Sequence, residues 1–126
     1  MSNYELEEAK LVEIQMALSF LTLVVILLSI YLSYNSLMGF LHKDKIFTNE
    51  RADRILKFNR SLSLIIGIGF LLINYYDKKL KDKYNRDTNE ANIQIGAGIL
   101  VVIARLMVFY IAFSGISIIS EENPTE

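Results

Sequence analysis

The sequence predicts an all-α integral membrane protein in which three transmembrane helices pack in one bundle. Three observations carry this. The run IGAGILVVIARLMVFYIAFSGISII at 95–119 is apolar throughout except for Arg105 at its middle. At about 1.5 Å per residue, such a run crosses a bilayer as a helix with some tilt. Two further long apolar runs precede it, and the chain as a whole is 52% hydrophobic. Charged residues make up 21% and are confined to short segments between the runs, whereas a soluble bundle spreads its charges along its helix faces.

A chain of 126 residues fits a single membrane domain, 1–126. A net charge of −1 argues against a nucleic-acid partner. The absence of cysteine excludes disulfides, thiolate catalysis and cysteine metal sites. The sole proline, Pro124, lies in the tail and kinks no helix. The opening MSNYELEEAK is acidic where a signal peptide or presequence is basic, so the first helix is expected to be its own retained insertion signal.

Helix 1 is expected over about 11–41, after an acidic start carrying Glu5, Glu7, Glu8 and Glu13 that suits a helix N-terminus. Gln15, Ser19, Thr22, Ile26, Ser29, Ser33 and Ser36 recur at spacings of three and four, which puts them on one stripe. Tyr31, Tyr34 and Phe40 read as interfacial aromatics. A basic connector, 42–60, follows, with Thr48 or Asn49 as the N-cap of a helix beginning near Glu50. Arg51, Arg54, Lys57 and Arg60 recur every third residue. They read either as contacts to lipid phosphates or as snorkelling ends on the first turns of the next helix.

Helix 2, about 61–77, carries a stripe of Asn59, Ser63, Gly67, Phe70 and Asn74. Its Gly67-x-Gly69 spacing lets a neighbouring backbone come close. A charged loop, 78–91, leads to helix 3 over about 92–119, and TNEAN at 88–92 repeats TNERA at 48–52, which predicts the same capping chemistry twice. The stripe of helix 3 is Gln94, Gly98, Val101, Arg105, Val108, Ala112 and Gly115, and an acidic tail closes the chain at 120–126. Small and polar stripes in lipid are expected where helices meet. Arg105, Ser29, Ser33, Gly67, Gly98 and Asn74 are therefore the candidate intramembrane contacts.

If all three helices span, Lys and Arg tie at six on each face of the membrane. The flanks of helix 1 differ sharply, one basic residue against six, and place the N-terminus outside and the connector inside. Arg105 costs roughly 3 kcal/mol at a helix centre and keeps its charge, so something must face it. By depth it belongs near Ser29 on helix 1 and Gly67 or Gly69 on helix 2, where this chain has no acid. Four readings stay open: snorkelling or bonds to serines and backbone carbonyls inside the bundle, an acid on another protein's helix, a wet, anion-attracting path in a homo-oligomer, or a bound lipid head group or quinone-like ligand.

His42 is the only histidine, and no hydrolase, zinc-protease, P-loop or paired-acid motif occurs, so neither an enzyme, a metal site nor a cofactor is expected. The leading expectation is a non-enzymatic accessory or assembly subunit that packs with other membrane proteins in a larger complex; the expected partners are other transmembrane proteins or copies of itself, with membrane lipids. A homo-oligomeric pore or small transporter, holin-like or ion-conducting, is the alternative, and an immunity-type small membrane protein the third. A plasma or cytoplasmic membrane is the expected location. The stretch FTNERADRILKFNRSLSLIIGIGF at 47–70 resembles, through Asn49, Glu50, Arg51 and the Gly67/Gly69 spacing, the approach to the first helix of small three-helix membrane domains of the DUF202 type. It departs in having a full apolar helix before the motif and no aromatic residues just past it, and the resemblance assigns no functional residue.

Overall fold

The computed structural model describes residues 2–44 and 48–114. Three helices account for nearly all of them: α1 (Asn3–Phe40), α2 (Asn49–Lys83) and α3 (Asn89–Ser114). Each is long and apolar enough to cross a membrane, and the protein is a small all-α helical bundle of the membrane. The expected end of helix 3 at 119, Gly115 of its stripe and the acidic tail lie outside the described residues.

The helices run past the expected boundaries because capping, not the edge of the apolar run, sets where a helix starts and stops. Ser2 caps α1 in a capping box: its hydroxyl accepts from Glu5 N–H at 3.1 Å, and its own N–H donates to Glu5 Oε1 at 2.9 Å. Thr48 caps α2 by accepting from Arg51 N–H at 3.1 Å. Most of the basic connector, from Asn49 to Arg60, is therefore the opening of α2. At α3 the predicted repeat of that chemistry gives way to Asp87, whose Oδ1 accepts from Asn89 N–H at 3.1 Å.

Two helix ends turn through a left-handed residue that is not glycine, His42 (φ 57°) and Asn85 (φ 55°). At the first, His42 N–H reaches Gly39 O at 3.2 Å and Lys43 N–H reaches Met38 O at 2.9 Å. At the second, Asn85 N–H reaches Asp82 O at 3.2 Å and Arg86 N–H reaches Lys81 O at 2.8 Å. Both are Schellman turns, which satisfy the last carbonyls of a helix before the chain reverses.

The second helix is the hub. Both α1 and α3 pack antiparallel on α2, and no residue of α1 comes within 8 Å of α3, Cα to Cα, among the described residues. The seams repeat every seventh residue, the spacing of close helix pairs. In α2 the buried series is Asn59, Ile66, Ile73 and Leu80. In α1 the half-buried series is Leu11, Leu18, Val25, Leu32 and Gly39. In α3 it is Ala91, Gly98, Arg105 and Ala112, with Ile95, Val102 and Phe109 between. The hydroxyl stripe of α1 was expected in a seam, but Gln15, Ser19, Ile26, Ser33 and Ser36 are exposed and only Thr22 and Ser29 reach the seam's edge. The reason is local. Ser19 donates to Gln15 O and Thr22 to Leu18 O, each at 2.9 Å, so these two hydroxyls place their protons within their own helix and can stand outside the seam, while their oxygens keep acceptor capacity.

Candidate functional site

The charge at the centre of α3 is accommodated by a cut in α2. Arg105 lies half-buried in the α2–α3 seam, and its Nη1 donates to Ser63 O at 2.9 Å. That carbonyl belongs to the α2 turn closed by Gly67, and an sp² oxygen has a second lone pair to offer. Gly67 itself is buried against the arginine stem: a Cβ there would stand 3.0 Å from Arg105 Cδ and 3.4 Å from Nη1. The missing side chain is the space through which the guanidinium reaches the backbone. No carboxylate pairs with Arg105 among the described residues.

The other seam has a polar tie of the same kind. Asn59 is fully buried, and its Nδ2 donates to Val25 O of α1 at 2.8 Å. Its Oδ1 accepts from Arg60 Nη1 at 3.3 Å. Thus α2 is joined to α1 by an amide and to α3 by a guanidinium, each bonded to a backbone carbonyl across the seam. Such interhelical bonds contribute about 0.6 kcal/mol on average in membrane proteins, and up to about 1.7.

The remaining candidates divide. Gly98 lets α3 approach Leu71, whose Cδ1 would lie 3.1 Å from a Cβ at that position. Asn74 is half-buried on α2, Ser29 is half-buried at the rim of the α1 seam, and Ser33 is exposed. The structure places Arg105 with Gly67; it keeps α1, and with it Ser29 and Ser33, on the far side of α2 from that seam. Of the four connector cations, Lys57 is paired with Asp53 at 3.0 Å and sits 5.7 Å from the centroid of the Phe113 ring, and Arg60 is held by Asn59. Arg51 and Arg54 are exposed and carry no ion pair among the described residues. With Leu28, Ile55 and Phe58 they line an open groove of about 490 Å³ between α1 and α2.

A third polar group stands where α1 begins and α2 ends, beyond the apolar spans. Asp77 is buried and bonded to Lys81 at 2.7 Å, and Glu8 lies beside it. Burial, then the hydrogen bond and the negative charge of Asp77, push the Glu8 carboxyl above its ordinary pKa, while the bond from Asp77 raises that of Lys81. Around them Tyr84 donates to Glu7 at 3.2 Å, its ring meets Tyr4 edge-on at 5.5 Å, and the Arg86 guanidinium lies 3.9 Å from the centroid of Tyr4. The sequence places Glu7 and Glu8 in an acidic helix start and does not join them to Asp77. The signal that could have found the cluster is the pairing of an acidic N-terminus with Asp77 and Lys81 on one membrane face.

Among the described residues no group of acids and histidines could hold a metal ion. In comparisons with known proteins no family model, no curated protein and no solved structure matches this chain, and the local resemblance around Asn49 to Arg51 does not extend to a family.

Proposed function

We propose that the protein is a small, non-enzymatic membrane subunit that packs against the helices of other membrane proteins, with an assembly or accessory role. The observation that carries this reading is the exposed polar flank of α1. Gln15, Ser19, Ser33 and Ser36 lie along the apolar helix yet face away from α2, and Gln15 and Ser19 line a groove with Val12, Met16, Phe20 and Leu23. Small and hydrogen-bonding residues on an outward transmembrane face suit a close helix neighbour better than lipid tails. Arg105 favours a packing role over a pore, because its Nη1 is bonded to Ser63 O inside a seam. The free Arg51 and Arg54 beside an apolar groove suit anionic lipid phosphates at the membrane surface, with Lys57 and Arg60 engaged on the protein.

The test is photo-crosslinking in the native membrane, with a photoreactive residue placed at Ser19 or Ser33 and, as control, at Leu100 on the lipid-facing side of α3. A discrete adduct to a different polypeptide from the α1 positions, absent from Leu100, is expected. Adducts only to lipid, or only to a second copy of this chain, would overturn the accessory reading.

A further inference from the structure

The cluster at the start of α1 and the end of α2 contains a fault that helix packing does not explain. Glu8 and Asp77 lie within hydrogen-bonding reach of each other. Asp77 is only 8% exposed, and its Oδ2 is taken by Lys81 Nζ at 2.7 Å. Its other oxygen, Oδ1, and Glu8 Oε2 are both shielded from solvent and have no hydrogen-bond donor. With both groups ionised, two like charges face each other at short range and two desolvated acceptors stay empty. One proton removes both faults: a carboxyl O–H donates to the facing oxygen, and one of the charges disappears. Lys81 balances the charge that remains.

We propose that Glu8 and Asp77 form a proton-binding site, a carboxyl–carboxylate pair whose single proton joins the start of α1 to the end of α2. Glu8 is the protonated partner, since Asp77 already holds Lys81 Nζ on its Oδ2 at 2.7 Å. Its surroundings agree: burial and the neighbouring Asp77 strengthen its hold on a proton, against the weaker opposing pull of Lys81 and the Tyr4 hydroxyl. The other charged groups nearby are otherwise engaged, Glu7 by Tyr84 and Lys83, and Arg86 on the Tyr4 ring. From α3, whose described residues come no closer than 8 Å to α1, Cα to Cα, the acid of the first turn is Glu90, and it is exposed. Glu8 precedes the apolar span of α1, so protons from the aqueous side reach it.

The direction of the effect follows from linkage. Glu8 binds its proton more tightly in the folded bundle than in the unfolded chain, so the contact is full at low pH and is lost as pH rises through the raised pKa. Deprotonation sets two anions face to face and loosens the first turns of α1 from α2.

The experiment is an infrared titration of the full chain in lipid nanodiscs, from about pH 4 to about pH 9, reading the C=O band of protonated carboxyls, with thermal unfolding followed in the same samples. One band is expected to persist above the range in which the other carboxyls ionise. Glu8→Gln should delete it, and Asp77→Asn should move its titration downward. The unfolding midpoint of the natural protein should fall across that interval, while that of Glu8→Gln stays level. The absence of a late-titrating band overturns the proposal, and so does a fall in midpoint that persists in Glu8→Gln. Stabilisation by Mg²⁺ or Ca²⁺ at fixed pH without a late band also overturns it, giving the two oxygens to a cation. The first reading is made on the natural chain, so the result is decisive even if neither variant folds.

Discussion

Arg105 shows how one residue is made tolerable in a membrane helix. Its charge is met by a backbone carbonyl that a glycine makes reachable, so Gly67 and Arg105 act as one unit. A Cβ at Gly67 must displace the arginine stem, and Gly67→Ala is expected to cost about 1 kcal/mol. In an Arg105→Ala background the same substitution should be close to neutral; a double-mutant cycle of unfolding in mixed micelles reads the difference. On the α1 side, Asn59→Ala should lose about 1 kcal/mol by removing the bond to Val25 O. At the turn after α2 the sign reverses. Asn85 holds φ at 55°, a conformation that costs an ordinary residue roughly 1 kcal/mol and glycine almost nothing. Asn85→Gly should therefore raise the unfolding midpoint, by less than that figure because Asn adopts this region more readily than most residues.

At the scale of elements, α2 carries the fold, and removing its contacts should separate neighbours that do not hold each other. Because the sequence contains no cysteine, paired substitutions report directly on proximity. Leu18→Cys with Gly69→Cys, and Leu71→Cys with Gly98→Cys, should cross-link on oxidation, since each glycine lies against its leucine. Ser29→Cys with Arg105→Cys should not, because α1 and α3 do not meet. Depth alone puts those two residues together; in the structure Gly67 lies against Arg105, and depth carries no information on where α1 sits around α2. The number and kind of helices were legible because long charge-free runs admit few other folds. The seams were not. In α1 nearly every residue is apolar, so the Leu11–Leu18–Val25–Leu32 series has no contrast with its surroundings, while the serines that stand out lie mostly off the seam, Ser19 with its hydroxyl bonded to its own helix. The start of α2 was legible in Thr48 as an N-cap, whereas that of α1 is set by Ser2, well ahead of the apolar run that hydropathy marks.

At the scale of the whole molecule, α2 is covered on two sides, by α1 and by α3, and each of those two on one side only. In lipid the exposed Phe20, Leu100 and Met107 need no protein cover, because hydrocarbon is their solvent. The polar flank of α1 is different, and it is the surface on which an accessory role depends. Glu8 and Asp77 fasten the same helix to α2 at its start, so the presentation of that flank should respond to pH on the side where α1 begins. The most direct test is native mass spectrometry of the protein extracted mildly from its own membrane, alongside a Ser19→Leu, Ser33→Leu variant. The expected result is a defined mass that includes other polypeptides at fixed stoichiometry and is lost in the variant. A mass equal to a multiple of this chain alone, or a monomer in both samples, would contradict the accessory-subunit reading.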